Sequence, residues 1–215
     1  MRPDLRLYLV TGPVPEGRDL VEVVAAAVAG GVTTVQLRDK TATTDERVAT
    51  ARALLEVLDP AGVPLVVNDD VEAAAIVGAG VHVGTSDAAA AHARDRLGSG
   101  ALVGWSVEHA GQLDDAAEVD SASYLAASPV WSTPSKTDTA PPLGLDGVAA
   151  LRSGTTLPVV GIGGIDASNA AAVVRAGADG VAVISAICAA DDPERAARGL
   201  LAAVDEALAG RGVLR

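Results

Sequence analysis

Short apolar runs recur along the chain at regular intervals, and each is rich in valine, leucine, isoleucine or alanine. Runs of this length, bounded by glycine and polar residues, are typical of strands buried on both faces of a sheet. Eight of them predict strands, at residues 7–11, 33–38, 65–68, 81–84, 102–106, 124–127, 158–161 and 180–184.

Alanine-rich stretches with helical spacing separate these runs. They predict helices at residues 20–28, 45–58, 71–77, 88–97, 107–117, 145–151, 169–176 and 193–209. Strand and helix therefore alternate from end to end, and no segment of linker composition interrupts them. The pattern predicts an α/β fold with one domain over residues 1–215, a single (β/α)8 TIM barrel. A doubly wound open sheet is the alternative, because the same alternation allows it.

Composition restricts the classes of partner. The chain carries a formal net charge of −12, whereas a nucleic-acid or anionic-membrane surface needs a basic face. No apolar stretch is long enough to span a bilayer. Cys188 is the only cysteine, which excludes an internal disulfide and a multi-cysteine zinc site. We therefore expect a cytoplasmic protein that acts on small molecules, without nucleic-acid or membrane partners; the sequence leaves homo-oligomer formation open.

The end of the second predicted strand carries a polar face. Strand alternation places Gln36, Arg38 and Lys40 on one side and the intervening apolar residues on the other. Two cations at a barrel mouth are costly without anionic partners, so their presence indicates a bound anion. A structural ion pair with Asp39 or Asp69 is the alternative.

Lysine is rare in this chain, and both lysines lie in dense polar motifs. Lys40 ends QLRDK and Lys136 ends STPSK, while the other fourteen of the 16 basic residues are arginines. A compact ammonium group differs from a guanidinium in shape and hydration, so this choice suggests a specific role at both positions. Chance placement on a solvated loop is the alternative.

Carboxylates follow two neighbouring predicted strands. Asn68, Asp69 and Asp70 end the third strand, and Asp87 follows the fourth. Two hard oxygen ligands facing a shared space suit Mg²⁺, which takes one or two carboxylates and shares its other positions with phosphate and water. Asp70 and Asp87 also precede predicted helices, and on spacing alone helix capping is the stronger explanation for either.

Hydroxyl and glycine residues follow the later strands. Ser106 ends the fifth strand and is positioned either to face the site or to cap a helix that begins near residue 107. Segment 128–139 gathers hydroxyls around Lys136; its donors suit phosphate oxygens and its length suits a mobile lid, with a plain surface loop as the alternative. The glycines of 161–164 follow the seventh strand, where barrels of this class bind phosphate.

The remaining reactive side chains do not form a recognisable centre. His82 lies within a predicted strand, and His92 and His109 lie on predicted helices, so we expect structural or solvated roles for all three. We interpret Cys188 as a small buried hydrophobic residue, because no partnering base accompanies it. The sequence therefore gives no evidence for a covalent nucleophile.

Taken in order, the polar motifs resemble those of the thiamine phosphate synthase family. The motifs are QLRDK, NDD, GTSD, WSVEH, SPVWSTPSKTD, PPLGL, PVVGIGGI and GADGVAVISAI. The resemblance implies a transferase of thiamine biosynthesis. It would join hydroxymethylpyrimidine diphosphate to hydroxyethylthiazole phosphate, or to the carboxylated precursor of that thiazole, with Mg²⁺ as cofactor and diphosphate as the second product.

The resemblance also implies roles for individual residues. The pyrimidine diphosphate would be bound by Gln36, Arg38, Lys40, Asn68, Ser106 and Lys136. Of these, Arg38, Lys40 and Lys136 would be catalytic, and Asp69 and Asp87 would hold Mg²⁺. The thiazole phosphate would be bound by Thr133, Pro134, Ser135, Gly164, Ile184 and Ser185.

Two other functions are compatible with such a barrel. One is a thiazole tautomerase of the same fold, and the other is a non-catalytic sensor of a phosphate ligand. The joint presence of two lysines, an arginine and two candidate metal ligands favours the synthase, because neither alternative needs a metal-diphosphate site.

Overall fold

Eight parallel strands close into one barrel in a computed structural model of the chain, which describes residues 3–85, 87–133 and 141–213. The strands follow each other around the barrel in chain order, and the first pairs with the eighth. This closure confirms the predicted barrel and excludes the open sheet. The strands are β1 (Leu7–Val10), β2 (Thr34–Leu37), β3 (Leu65–Asn68), β4 (Gly80–Val83), β5 (Val103–Val107), β6 (Tyr124–Ala127), β7 (Val159–Ile162) and β8 (Gly180–Val183).

Helices surround the barrel and connect its strands. Within the described ranges they are α1 (Leu20–Ala29), α2 (Thr44–Leu58), α3 (Val71–Val77), α4 (Ala90–Leu97), α5 (Ala116–Ser121), α6 (Gly144–Gly154), α7 (Ala170–Arg175), α8 (Ser185–Cys188) and α9 (Pro193–Val213). The terminal helix α9 packs against α1 and α7. In the described part of the chain, no helix is both long enough and apolar enough to cross a membrane.

Side chains alternate between two apolar layers, as the period of a strand requires. In β1, Leu7 and Leu9 face the helices and belong to the large outer core, whereas Tyr8 and Val10 face the barrel interior. The interior is a small cluster completed by residues of strands farther around the barrel, among them Val66 of β3 and Tyr124 of β6. Tyr8 and Tyr124 are the largest fully buried side chains, so they fill much of the barrel floor.

The predicted helix 107–117 is wrong. Val107 is the last residue of β5 and pairs with Ala127 of β6, because a buried β-branched side chain favours the strand. A 3-10 turn, Ala110–Asp114, follows, and Asp115 caps α5 through the backbone N–H of Glu118. The proposal that Ser106 caps a helix is therefore wrong as well. The short helix α8 was not predicted, since its four residues carry no periodicity.

The barrel floor requires a glycine on β5. Gly104 lies between the side chains of His82 and Tyr124, and a Cβ atom at this position would overlap both rings. The glycine therefore lets two aromatic rings meet inside the barrel.

Replacing Gly104 with alanine should lower the free energy of unfolding by about 1–3 kcal/mol, because rigid neighbours must shift to admit the methyl group. Chemical denaturation measures the difference. Gly100→Ala is the matched control, since nothing lies within 4 Å of a Cβ atom there. Equal stability of the two variants would contradict close packing at Gly104.

Candidate active site

A cavity of about 400 Å³ opens at the carboxyl end of the barrel. Residues at or after the ends of all eight strands line it, which is where barrels of this class carry their active sites. Eleven of the residues assigned from the sequence line this cavity: Gln36, Arg38, Lys40, Asn68, Asp69, Asp87, Ser106, Thr133, Gly164, Ile184 and Ser185. Pro134, Ser135 and Lys136 lie outside the described residues, as does the second half of the proposed lid, residues 134–139.

The end of β2 contributes the cations of the cavity, as strand alternation predicted. Gln36, Arg38 and Lys40 all line the cavity. The ammonium group of Lys40 lies 2.7 Å from a carboxylate oxygen of Asp69. The ion pair considered as an alternative is therefore present, and it draws the second and third strand ends together. Lys40 remains half exposed to the cavity, so its ammonium is accessible to a further anion.

Two successive aspartates after β3 point to different partners. Asp69 has a φ of 63°, in the left-handed region that non-glycine residues seldom occupy, and its N–H donates to the carbonyl of His82. Asp70 accepts from the backbone N–H of Ala73 and caps α3, as the spacing suggested. The backbone turn at Asp69 therefore separates a cavity-facing carboxylate from a capping one.

Asp87 does not cap a helix, and this prediction from spacing is wrong. Its carboxylate accepts from the backbone N–H of Gly84 at 2.9 Å, and α4 begins three residues later. The N–H of Ala90 at the start of α4 is bound instead by Glu118. Asp87 is thereby held against the strand end and faces Asp69.

The carboxyl group of Asp69 has a raised pKa. Burial is the main cause; the neighbouring Asp87 adds to the rise, and the ammonium of Lys40 opposes it. A buried carboxylate close to a second one favours binding of a proton or a cation between them. The paired oxygens are the hard donors that Mg²⁺ prefers, so these residues fit the ion. No group of three His, Cys, Asp or Glu side chains suited to a metal occurs in the described residues, so other ligands would come from water or substrate.

The opposite side of the mouth is formed by close backbone. Gly163 and Gly164, after β7, have φ angles of 105° and 65°. A Cβ atom on Gly164 would lie 3.0 Å from Cβ of Trp131, so the glycines let this loop pack on the segment after β6. Ile184 and Ser185 follow β8 and line the same side. The residues after the last two strands thus form a second side of the cavity, the glycine side.

The chain is similar to known proteins over nearly its whole length. Residues 7–187 match a family model described as thiamine monophosphate synthase. The chain belongs to this family. A thiamine-phosphate synthase of Albidiferax ferrireducens is 50% identical over 203 residues, which cover 94% of this chain and 92% of that protein. One of Natronomonas pharaonis is 51% identical over 210 residues, which cover 95% and 97% of the two chains.

A solved structure extends the similarity to three dimensions. Thiamine phosphate pyrophosphorylase from Pyrococcus furiosus superposes with a TM-score of 0.85 at 33% identity, over 96% of this chain and 98% of that one. The family and enzyme class predicted from the ordered motifs are confirmed. The roles of individual residues stay predictions.

Two aromatic side chains that line the cavity, His82 and Tyr8, were not predicted as site residues, and neither was Tyr124, whose hydroxyl lies within hydrogen-bonding distance of both. His82 was expected to be structural or solvated; it is buried, in keeping with a structural role, and it also lines the cavity, where its Nε2 lies 2.9 Å from the hydroxyl of Ser106. Tyr8 and Tyr124 were counted only as members of strands. The signal was available in the inward position of His82 between Val81 and Val83 on β4. It could not be used without the register between β4 and β5, which aligns His82 with Gly104.

Arg47 on α2 holds the two charged loops of the site, those after β2 and β3. Its guanidinium donates to the backbone carbonyl of Asp39 at 2.9 and 3.1 Å and to the carboxylate of Asp70 at 3.0 Å. Asp39 precedes Lys40, and Asp70 follows Asp69. Arg47 therefore fixes the chain directly beside both members of the cavity's ion pair.

Replacing Arg47 with alanine should lower the free energy of unfolding by about 1–3 kcal/mol, because it removes the charged partner of the largely buried Asp70 carboxylate and both guanidinium donors to the carbonyl of Asp39. Burial raises the pKa of Asp70, but the N–H of Ala73, the hydroxyl of Thr44 and Arg47 outweigh it and lower the pKa overall. The contribution of the Arg47–Asp70 pair to the free energy of unfolding is therefore present above the pKa of Asp70 in the unfolded chain, about 3.9. It is lost as pH falls through the lower pKa of Asp70 in the folded protein.

Urea denaturation at pH 7 and at stepwise lower pH measures this effect. Arg52→Ala, on the exposed face of the same helix, is the matched control and should change stability by less than about 0.5 kcal/mol. A loss for Arg47→Ala no larger than that of the control would contradict the clamp.

Proposed function

We propose that the protein is a thiamine phosphate synthase. It joins 4-amino-2-methyl-5-hydroxymethylpyrimidine diphosphate to 4-methyl-5-(2-hydroxyethyl)thiazole phosphate, or to its carboxylated precursor, and releases diphosphate. With the carboxylated precursor, carbon dioxide is released as well. The observation that carries the proposal is one cavity with two different sides. Cations and paired carboxylates follow β2 to β4, whereas two glycines follow β7 and Ile184 and Ser185 follow β8. In a closed barrel of eight strands, β3 lies across the mouth from β7, so the two phosphate-bearing substrates would face each other.

The departing diphosphate would be held by the β2 side. Arg38 and Lys40 line the cavity. Their positive charges would stabilise the negative charge that develops as the carbon–oxygen bond breaks. Asp69 and Asp87 would hold Mg²⁺, which supplies further positive charge to the diphosphate oxygens. The resemblance adds Lys136 to this group, and Asn68 would contact the same substrate.

The bond changes need no general base or covalent nucleophile. The carbon–oxygen electron pair leaves with the diphosphate, and the electron-rich aminopyrimidine stabilises the methylene cation that remains. The lone pair of the thiazole nitrogen then forms the new carbon–nitrogen bond. This chemistry is consistent with the cavity's residues, in which cations and metal-type carboxylates stand beside neutral hydrogen-bonding groups.

The thiazole phosphate would be held by the other side. Thr133, Gly164, Ile184 and Ser185 line it, and the resemblance adds Pro134 and Ser135. Hydroxyl groups and exposed backbone N–H groups are suited to phosphate oxygens. We also propose that the 215 residues form one domain that acts in the cytoplasm on small molecules. The free, buried thiol of Cys188 is in keeping with a reducing compartment.

The purified protein should form thiamine phosphate from the two substrates when Mg²⁺ is present and should lose this activity in excess EDTA. Chromatography with mass detection follows the product, and restored activity on adding Mg²⁺ back controls for damage by the chelator. A folded protein that forms no product under either condition would contradict the proposal. Isomerisation of a thiazole phosphate, or binding without turnover, would then indicate the tautomerase or the sensor.

Replacing Asp69 or Asp87 with alanine should raise the Mg²⁺ concentration needed for half-maximal activity at least tenfold, because each removes a carboxylate ligand. Calorimetric titration of Mg²⁺ in the presence of diphosphate gives a readout independent of turnover. Asp70→Asn is the matched control: it should lower stability, since Asp70 caps α3 and pairs with Arg47, but leave the Mg²⁺ requirement unchanged. Unchanged Mg²⁺ binding in both alanine variants would remove the metal assignment.

A further inference from the structure

Five buried polar side chains form a continuous chain of hydrogen bonds across the barrel floor. Nε2 of Gln36 donates to Oη of Tyr8 at 2.8 Å, and Oη of Tyr8 lies 2.8 Å from Oη of Tyr124. Oη of Tyr124 lies 3.0 Å from Nδ1 of His82, and Nε2 of His82 lies 2.9 Å from Oγ of Ser106. The chain joins five strands: β1, β2, β4, β5 and β6. Each member is at most 8% exposed.

The donors and acceptors of these side chains fix the direction of the hydrogen bonds between them. The amide nitrogen of Gln36 can only donate, so Tyr8 accepts there and has its single proton left for Tyr124. Tyr124 then donates to Nδ1 of His82, and the proton of His82 lies on Nε2, from which it donates to Ser106. In the opposite direction both neighbours of Tyr8 would donate to it and its own proton would lack an acceptor within the chain.

Both phenols keep their protons at neutral pH. Burial raises the pKa of Tyr8 and of Tyr124. The two rings meet edge to face, with centroids 5.9 Å apart. Each hydroxyl group therefore accepts one hydrogen bond and donates one hydrogen bond within the chain of five side chains.

The two ends of the chain reach the cavity with opposite hydrogen-bonding character. Ser106 accepts from His82, so its own hydroxyl proton is available to a ligand. Gln36 uses its amide nitrogen within the chain, so its amide oxygen is available as an acceptor. A ring that carries an amino group beside a ring nitrogen offers the complementary donor and acceptor.

We propose that Tyr8, Tyr124 and His82 are positioning residues that set Ser106 as a donor and Gln36 as an acceptor, and so select an aminopyrimidine over an oxopyrimidine. The proposal rests on the proposed function, since it names how the pyrimidine substrate is recognised. The three residues act through Ser106 and Gln36 and take no part in the bond changes. Replacing the amino group with an oxo group reverses the hydrogen-bonding pattern and leaves the polar ends of the chain mismatched.

Nitrogen NMR of ¹⁵N-histidine-labelled protein measures the direction of the hydrogen-bond chain and does not depend on turnover. We expect His82 to be neutral, with its proton on Nε2 and an unprotonated Nδ1. His82→Asn assigns the resonance among the three histidines of the chain. A proton on Nδ1 would overturn the proposal, because it would reverse the chain and make Ser106 the donor to His82.

Calorimetry of the 4-amino and 4-oxo forms of the pyrimidine diphosphate, without the thiazole substrate, tests the selection. The protein should bind the amino form at least tenfold more tightly, and Tyr124→Phe should lose most of this preference while it perturbs the His82 resonances. Thr34→Val is the matched control; it removes a buried hydroxyl that donates to the carbonyl of Asp4 at the amino-terminal end of β2, outside the lining of the cavity, and should leave the preference intact.

The outcomes separate this proposal from the proposed function. A preference for the amino form without turnover would contradict the synthase reaction and leave the recognition chain standing. Turnover with equal binding of the two forms, or a preference that survives in Tyr124→Phe, would overturn the recognition chain alone. If Tyr124→Phe does not fold, two measurements on the wild-type protein still test the recognition chain. They are the preference for the amino form and the position of the proton on His82.

Discussion

Pairing of the first strand with the eighth is the constraint on which the site depends. β1 bonds to both β2 and β8, so the parallel sheet has no free edge and all eight carboxyl ends meet around one opening. Residues far apart in the chain, such as Lys40 and Ser185, come to line one cavity for this reason. Closure also forms a narrow interior whose floor must be filled, and this chain fills it with two tyrosines joined by a hydrogen bond.

Charge at the mouth is balanced between neighbouring strand ends. Lys40 and Asp69 pair across β2 and β3, and Asp87 approaches from β4 and raises the pKa of Asp69. Arg47 lies behind them and holds the chain on either side of the pair. The second carboxylate, Asp87, is unfavourable beside the ion pair unless a further cation binds there. This electrostatic cost is the physical reason to expect Mg²⁺, together with a diphosphate, at this point.

Much of the fold could be predicted from the sequence because the strands are buried on both faces. Their valine and leucine runs contrast with the alanine-rich helices, and the predicted strand ends differ from the observed ones by no more than one residue. The prediction failed where neither pattern applied. The segment after β5 contains Gly111 and forms a short 3-10 helix, Ala110–Asp114, in place of a full α-helix. The side chain of Gln112 accepts from the backbone N–H of Glu108 there.

The site was predictable only in part, because spacing along the chain does not give direction in space. Asp70 and Asp87 had the same relation to a following helix, yet Asp70 caps one and Asp87 binds the backbone of Gly84. The floor was harder still to foresee, since the contact of His82 with Ser106 depends on the register of two strands. The rarity of lysine singled out Lys136 as a candidate for a specific role, but only the resemblance named the pyrimidine diphosphate as its expected ligand.

A crystal structure of the protein with Mg²⁺, diphosphate and thiamine phosphate would test the two-sided cavity most directly. Diphosphate should lie between Arg38 and Lys40, a metal ion on Asp69 and Asp87, and the thiazole phosphate against Gly164 and Ser185. Diphosphate bound on the glycine side, or a metal ion without contact to either aspartate, would contradict this arrangement.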